Sequence, residues 1–249
     1  MVSNVDSRFL TSESPEFYFW LRHARRSQEP VVELFAGRGR VAVPLAEQAI
    51  QLIAVEPDEQ ERREGVRQSK DLPIRWMAGT PLTFTLERRA GMVFLAGKSF
   101  EQLLTLDGQR AALRNIYANL QIGGKLAVDL AMPQIEQIAA NSRLGSPPRP
   151  LAPIVDGEVG STIYRWISER YDPGAQHVSR HLIYEMVDET GTTLRRWHRT
   201  LERAFIWPRE MQLLLEVTGF EVEVLYGGWN DEPFTADANQ QIWLARKGV

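Results

Sequence analysis

The chain has 249 residues, of which 43% are hydrophobic and 24% charged, a composition ordinary for a globular protein with one well-filled core. The formal net charge of −3 argues against a dedicated nucleic-acid surface, and the sequence has no apolar run of the roughly 18 residues that a membrane span requires. The absence of cysteine excludes disulfides, thiolate nucleophiles and cysteine-ligated metal sites.

The first half of the chain alternates between patterns typical of strands and helices. Short apolar runs predict buried strands at residues 31–35, 51–55, 74–77, 91–95 and 125–130. Amphipathic stretches predict helices at residues 17–26, 40–48, 59–68 and 106–120. Gly123 and Gly124 follow the last helix, and we expect them to end it in the left-handed conformation. The alternation predicts a mostly parallel α/β sheet.

The second half changes to the period of two that half-buried strands show. Residues 143–153 contain four prolines, which cannot donate to a strand ladder, so we interpret this segment as a linker. Strand-like runs joined by turn sequences predict an antiparallel meander at residues 161–171, 176–187 and 192–205. A helix over residues 207–218 precedes two closing strands, at 220–226 and 240–246, that we expect to pair antiparallel.

Together these elements predict one Rossmann-like α/β domain that carries an insertion. Residues 1–142 and 206–249 supply a seven-stranded, mostly parallel sheet with a C-terminal antiparallel hairpin. Residues 154–205 supply an inserted three-stranded antiparallel region. The N-terminal residues lack the basic start and apolar stretch of a secretion signal, so we expect a cytoplasmic protein.

A glycine-rich turn follows the first predicted strand. Glycines at 37 and 39 let a ligand approach the backbone, and the helix that follows offers unpaired N–H groups. Glu56 ends the second predicted strand, 19 residues after Gly37, where its carboxylate can accept both hydroxyls of a ribose. This spacing indicates a nucleoside cofactor without choosing among them.

Two cofactor classes compete for this motif. Gly37, Gly39 and Ala42 fit the dinucleotide fingerprint with alanine in its third place, which keeps an NAD-linked oxidoreductase as an alternative. Glu33 lies four residues before Gly37, at the end of the first strand. A carboxylate there suits the cationic amino group of a methionine and would repel a pyrophosphate, so it favours S-adenosylmethionine.

The chain also resembles the class I S-adenosylmethionine-dependent methyltransferases. Residues 31–56 look like the family's cofactor motif and ribose-binding acid, and residues 99–104 resemble the region after its fourth strand. Residues 110–129 are similar to the helix, glycine turn and fifth strand of small-molecule members, and residues 210–247 to their closing helix and hairpin. The resemblance implies methyl transfer from S-adenosyl-L-methionine to a small molecule. It also implies that residues 161–205 cover the substrate site, as in one subgroup.

The same resemblance implies which residues contact the cofactor, and it shows departures from the family pattern. The implied residues are Glu33, Phe35, Ala36, Gly37, Gly39, Glu56, Pro57, Gly79, Thr80, Ala96 and Ser99. Phe35 replaces the first motif glycine, in a place expected still to lie within the strand. Thr80 replaces an acid that commonly holds the adenine amine, and Lys98 and Gln102 replace an Asn and a His. These departures motivate a second alternative, a catalytically silent relative that binds a nucleoside or a partner protein.

The sequence leaves the catalytic residues open. Methyl transfer needs no nucleophilic side chain, and a general base is needed only for an acceptor that is protonated at working pH. Candidates for a base or for acceptor binding are Tyr164, His177, His181, Tyr184 and Arg203, and candidates for an aromatic wall are Trp166, Trp197 and Trp207.

No metal site is expected, because His177 and His181 on one strand would lie about 13 Å apart. The expected partner is a small-molecule methyl acceptor, with no nucleic acid and no membrane. The expected assembly is a monomer or a homodimer.

Overall fold

The computed structural model of the protein describes residues 10–156 and 161–248. The chain divides into two compact units. The first contains Met1–Met132 and Ile206–Val249, and the second contains Pro133–Phe205. Within the described residues, no helix is long and apolar enough to cross a membrane.

The first unit is built on a seven-stranded sheet in the order β10-β11-β5-β4-β1-β2-β3. The strands are β1 (Val31–Leu34), β2 (Leu52–Val55), β3 (Ile74–Met77), β4 (Ala90–Leu95), β5 (Leu120–Ala131), β10 (Phe220–Tyr226) and β11 (Gln240–Lys247). The first five run parallel, whereas β11 pairs antiparallel with both β5 and β10. The predicted Rossmann-like sheet with a reversed C-terminal hairpin is confirmed.

Three of the helices are capped at their N-termini by side chains. They are α1 (Pro15–Arg25), α2 (Ala42–Glu47), α3 (Glu59–Gln68), a single 3₁₀ turn (Ser99–Gln102), α4 (Leu106–Asn119), α5 (Ile135–Asn141) and α6 (Pro208–Val217). The side chains of Ser14, Asp58 and Thr105 accept N–H bonds from the first turns of α1, α3 and α4. Such caps contribute about 1 kcal/mol each, because they satisfy N–H groups that the helix leaves unpaired.

The core of the first unit joins α1 to one face of the sheet. Trp20 on α1 is fully buried and stacks on Phe94 of β4, with ring centroids 5.1 Å apart. Val31 and Ala127 belong to the same cluster and lie on the same sheet face as Phe94. This packing positions α1 beside the strands whose carboxyl ends carry the predicted site.

The glycine pair after α4 behaves differently from the prediction. The helix ends at Asn119, and its C-cap residue Leu120 is already extended, with φ −83° and ψ 144°. Gly123 takes the predicted positive φ, +75°, but within β5. The register of β5 against β4 is irregular there, passing from Ala90↔Leu120 to Met92↔Lys125. The predicted helix termination by glycine was therefore wrong, because the glycines accommodate a bulge rather than a helix end.

Lys247, the last residue of β11, closes the C-terminal end of α4. It is 9% exposed, and its Nζ donates to the carbonyl oxygens of Tyr117 at 2.8 Å and Leu120 at 2.9 Å. The last carbonyls of a helix have no partner within it, and a cation there also opposes the helix dipole. The reversed strand is thus tied to α4 as well as to the sheet.

The second unit contains α5 and a four-stranded antiparallel sheet in the order β6-β7-β8-β9. The strands are β6 (Arg149–Asp156), β7 (Ser161–Asp172), β8 (His177–Val187) and β9 (Thr193–Ala204). Two predictions were wrong here: the sheet has four strands rather than three, and residues 149–153 of the predicted linker belong to β6. An edge strand tolerates proline because one row of its N–H groups has no strand to pair with. Pro150 lies opposite Trp166, and Pro153 falls where the register shifts.

The side chain of Gln241 bonds to both segments at which the chain leaves and re-enters the first unit. Gln241 of β11 is fully buried, and its Nε2 donates to the carbonyl oxygens of Ala131 at 3.2 Å and Ile206 at 2.9 Å. Its Oε1 accepts from Trp243 Nε1 at 3.1 Å. The residues that flank the second unit are thereby held close together.

Candidate functional site

The glycine turn after β1 is open where the sequence predicts a ligand. Gly37 has φ +57°, and no atom of the described residues lies within 4 Å of the position that a Cβ would occupy there. Gly39 has φ +88°, and a Cβ on it would meet Val43 Cγ2 at 2.7 Å. The two glycines therefore serve different ends, since Gly37 leaves space beside the backbone and Gly39 permits close packing of α2.

Phe35 lies outside the strand, contrary to prediction. β1 ends at Leu34, and Phe35 has a positive φ of 55°. A non-glycine residue in this region costs roughly 1–2 kcal/mol, so the surrounding turn imposes the conformation. The next residue, Ala36, donates its N–H to the carbonyl of Val55 at 3.1 Å and ties the turn to the end of β2.

Glu56, directly after β2, lies against the glycine turn. The residue is 6% exposed, its Oε2 accepts from the Gly37 N–H at 2.7 Å, and its Oε1 accepts from the Asp58 N–H at 2.9 Å. Burial raises the pKa of the Glu56 carboxyl, and these two N–H groups act against that rise. A carboxylate has about four acceptor positions, so each oxygen can still accept a ligand hydroxyl.

Glu33 is buried within β1, two residues before the turn that contains Gly37. It is 3% exposed, and its Oε2 has no hydrogen-bond partner among the residues that the structure describes. Burial raises the pKa of Glu33 to about 8, while the Arg40 guanidinium and the Ala42 N–H act in the opposite direction. A buried oxygen without a partner costs free energy, so this carboxyl is suited to receive a cationic group.

Arg40 links the glycine turn to α1. Its guanidinium donates to both carboxylate oxygens of Glu16, at 2.6 and 3.2 Å. It also lies against the turn after β4, because a Cβ on Gly97 would be 3.2 Å from Arg40 Nη2. The charge of Arg40 acts on Glu33 and on Asp129 as well as on Glu16. This arginine is therefore the common neighbour of three acids.

Asp129, on β5, is a second buried acid at the same end of the sheet. It is 2% exposed, its Oδ2 accepts from the Lys98 N–H at 3.1 Å, and its Oδ1 has no partner within the described parts of the chain. The Oγ of Ser99 is likewise buried and lacks a partner there, while Ala96 beside it is buried. Three buried polar atoms that lack a partner in residues 10–156 and 161–248 thus lie near the C-terminal ends of β1, β4 and β5.

Thr80, Gly79 and Pro57 were predicted to contact the cofactor, Thr80 at its adenine. The Thr80 hydroxyl lies 3.0 Å from Thr83 Oγ1 and accepts from the Leu82 N–H at 3.2 Å, so it stabilises its own turn. Gly79 precedes it, and a Cβ there would contact Val55 Cγ1 at 3.3 Å. Pro57 is exposed. All three residues lie in the turns that follow β2 and β3.

The acceptor candidates in the second unit divide between the two faces of its sheet. Tyr184 and Trp197 stand opposite each other and stack with ring centroids 5.1 Å apart and planes 2° apart. Arg203 shares their face, because it pairs with Val178. The other face carries a different set of candidates, namely Tyr164, Trp166, His177 and His181. Trp207 lies outside this unit, as the residue before α6.

His181 has one close polar neighbour of note. Its Nε2 lies 3.0 Å from Nδ1 of His198. No group of three or more His, Asp or Glu side chains in the described segments is placed to hold a metal ion.

Sequence reasoning missed the roles of Arg40, Glu16 and Asp129 in this cluster. Asp129 carries a signal in the sequence, since it is the single charged residue in the apolar run from 126 to 131. An acid in a strand buried on both faces needs a partner or a function. The Glu16–Arg40 pair has no such signal, because only the packing of α1 brings the two side chains together.

No family model and no curated protein matches this chain.

Solved structures do match it over nearly the whole length. The CcbJ methyltransferase from Streptomyces caelestis is 23% identical with a TM-score of 0.73, covering 94% of this chain and 90% of that one. An S-adenosylmethionine-dependent methyltransferase from Clostridium acetobutylicum is 13% identical with a TM-score of 0.78, covering 96% and 93%. CalS10, an amino pentose methyltransferase from Micromonospora echinaspora, is 16% identical with a TM-score of 0.71, covering 95% and 92%. At these identities the likeness establishes a shared fold.

Proposed function

We propose that this chain, which has the fold of the class I S-adenosylmethionine-dependent methyltransferases, transfers a methyl group from S-adenosyl-L-methionine to a small-molecule acceptor. The observation that carries the proposal is the open glycine turn with a buried carboxyl on either side. Gly37 leaves space beside the backbone, Glu33 presents an oxygen without a partner among the described residues, and Glu56 closes the turn from β2.

The donor groups of this corner fit the cofactor part by part. Glu33 would hold the methionine amino group, since a buried carboxyl gains most from a cationic partner. Glu56 would accept the ribose hydroxyls with the positions that its two N–H bonds leave open. The backbone and side chains around them would complete the site: Phe35, Ala36, Gly37, Gly39, Pro57, Gly79, Thr80, Ala96 and Ser99. When bound, the cofactor supplies an electrophilic methyl group on a sulfonium sulfur.

The residues of the chain would act mainly by positioning. Much of the barrier to an in-line displacement is entropic, and holding two reactants aligned away from water can supply about 7–11 kcal/mol. We assign acceptor recognition to the second unit, which carries the stacked Tyr184 and Trp197. The names of several structural neighbours support a small acceptor, CalS10 being an amino pentose methyltransferase.

The NAD-linked alternative is disfavoured by the same corner. A dinucleotide would bring its pyrophosphate to the glycine turn, close to the buried Glu33 carboxyl and to Glu56. A pyrophosphate has no hydrogen to donate to the Glu33 oxygen that lacks a partner among the described residues, and it repels that carboxyl once the carboxyl is ionised. A catalytically silent relative would bind the cofactor without methylating any acceptor. An assay with a broad panel of acceptors tests this alternative.

Isothermal titration with S-adenosylmethionine and S-adenosylhomocysteine tests the proposal. We expect both to bind, and we expect Glu56→Ala to weaken S-adenosylhomocysteine about tenfold or more, because the ribose loses charge-assisted hydrogen bonds. Glu59→Ala is the matched control, since Glu59 is an exposed acid on α3 that pairs with Arg63. No heat from either ligand with the folded wild-type protein at high micromolar concentration would refute the function, and an unchanged affinity in Glu56→Ala would refute the ribose role.

A further inference from the structure

We propose that Asp129 is a catalytic residue that binds the ammonium form of the acceptor and removes its proton, so that the methyl acceptor of this chain is an amino group. The inference rests on the proposed methyltransferase function. It adds the atom that is methylated and the side chain that prepares it.

The first argument is the placement of Asp129 on the sheet. Glu33 lies opposite Phe94 in β4, and Phe94 lies opposite Ala127 in β5, so Glu33 and Ala127 share a sheet face. Asp129, two residues after Ala127, is on that same face and nearer the carboxyl ends of the strands. The two buried acids therefore stand two strands apart, with the turn after β4 next to Asp129.

The second argument is a count of charges. Glu33 and Asp129 each have a buried oxygen that lacks a partner among the described residues. The cofactor brings one ammonium group, which Glu33 is placed to receive. The sulfonium of the cofactor is a cation without an N–H or O–H group, so it cannot donate a hydrogen bond to the second free oxygen, whereas a methyl acceptor can. Amino groups are cationic near neutral pH, whereas hydroxyl and carbon acceptors are not.

The hydrogen bonds of Asp129 leave one oxygen for this task. Oδ2 is held by the Lys98 N–H, which fixes the carboxyl plane, and Oδ1 is left for the ligand. Oδ1 is shielded from solvent in the unliganded chain.

The chemical step balances with the groups named. The Asp129 carboxylate takes one proton from R–NH₃⁺ and becomes the neutral acid, which leaves the nitrogen lone pair free. The lone pair forms the N–CH₃ bond while the C–S bond of the sulfonium breaks and its electron pair stays on sulfur, giving a thioether. The new secondary ammonium carries the transferred methyl, and the acid releases its proton to solvent.

The electrostatics of Asp129 suit a base that works near neutral pH. Burial raises the pKa of Asp129 to about 7, and Glu16 on α1 acts in the same direction. The Lys98 N–H, the Lys98 charge and the Arg40 guanidinium act in the opposite direction. Glu101, the nearby acid of the 3₁₀ turn, accepts from the Ala131 N–H. Efficient general bases have pKa values close to the working pH.

Asp129→Asn is the decisive variant, because the amide oxygen can still accept the Lys98 N–H while the base is lost. With amino sugars such as glucosamine and with glycinamide as probe acceptors, we expect N-methylation at pH 7 to fall about 100-fold or more. Raising the pH from 7 should restore the rate of the variant by about tenfold at most and should level off above about pH 8, because probe amines with pKa values of about 7.7–8.0 are then neutral without the base. Asp107→Asn, which removes an exposed acid on α4, is the control.

A second readout needs no acceptor. In protein labelled with ¹³C at the aspartate carboxyls and bound to S-adenosylhomocysteine, the Asp129 resonance should titrate between pH 6 and 8. That resonance should be missing in Asp129→Asn. Titration of Asp129 below pH 5 overturns the proposal even if no probe amine is methylated.

The remaining outcomes separate this proposal from the function on which it rests. Failure of the wild type to bind S-adenosylhomocysteine removes the function itself. Binding within twofold of wild type, with N-methylation reduced in Asp129→Asn, supports the base. Methylation by Asp129→Asn within threefold of wild type at pH 7 overturns it, as does a panel in which only hydroxyl acceptors react. A weaker affinity of the variant for S-adenosylmethionine alone would assign Asp129 to the sulfonium instead and also overturns it.

Discussion

At the scale of single residues, the two glycines of the turn after β1 differ in what surrounds them. A methyl group at Gly37 would project into open space, whereas one at Gly39 would collide with Val43 of α2 and approach Trp76 of β3. Both residues have positive φ. The same substitution should therefore affect ligand binding at the first position and packing at the second.

Gly37→Ala and Gly39→Ala test this difference. For Gly37→Ala we expect a stability loss of about 1 kcal/mol from the backbone conformation, together with a tenfold or larger loss of S-adenosylhomocysteine affinity. For Gly39→Ala we expect a further loss of about 1–3 kcal/mol of stability, because the added methyl overpacks the turn. Thermal unfolding and isothermal titration of both variants provide the comparison, and equal effects on stability would contradict the assignment.

Single residues also show where sequence reasoning stops. The positions of Glu33, Gly37 and Glu56 followed from motif spacing, because parallel strands bring their carboxyl ends to one edge. Phe35 was misplaced by one residue relative to the strand end, and only backbone torsions reveal that. Asp129 could be recognised as an acid in an apolar strand. No local sequence pattern shows that the Lys98 N–H binds one of its oxygens while the other lacks a partner among the described residues.

At the scale of elements, strands and helices with strong periodicity were predicted within one or two residues. β5 and β6 were not, because tertiary pairing overrides local preference there. Residues 120–124 join a strand through a bulge that the neighbouring β4 imposes, although they read as a helix end. The prolines of 143–153 suit a loop equally well as an edge strand, and the choice depends on β7 being available to pair.

The bond between β11 and α4 makes a prediction at this scale. Lys247→Met removes the donor to the Tyr117 and Leu120 carbonyls, and we expect a loss of about 1–3 kcal/mol because the Leu120 oxygen loses a buried bond and the Tyr117 oxygen keeps the Leu120 N–H but loses the ammonium. Lys125→Met is the control. Lys125 is half-exposed and pairs with Glu223, so its loss should cost less than about 1 kcal/mol. Urea unfolding measures both, and a Lys247 variant as stable as the control would contradict the role.

At the scale of the whole molecule, the buried acids should set how stability depends on pH. Burial raises the pKa of Glu33 to about 8 and of Asp129 to about 7, above the values of 4.5 and 3.8 that apply to unperturbed groups. At pH values between the unperturbed and the raised pKa of each group, the folded chain binds more protons than the unfolded chain. Stability from these groups is therefore complete at low pH and is lost as the pH rises through 7 and 8.

We expect the unliganded protein to lose several degrees of melting temperature between about pH 5.5 and pH 8.5. The double variant Glu33→Gln with Asp129→Asn should show a flatter profile and should be the more stable protein at pH 8.5, since it buries no charge there. Scanning calorimetry across this range, with Asp107→Asn as a control, makes the measurement. Burial lowers the pKa of His23 to about 4, so this residue adds stability as the pH rises to 6.5, its ordinary value. A wild-type profile that keeps rising above pH 7 would therefore show that the two carboxyls are ionised and paired in the folded chain.

The bonding of Gln241 has a consequence for how this architecture can be re-engineered. The Gln241 amide binds the carbonyls of Ala131 and Ile206. The two segments that connect the units are therefore held together by hydrogen bonds within the first unit. A graft that replaces 133–205 has to return the chain to these two carbonyls, so Gln241 is the residue to retain.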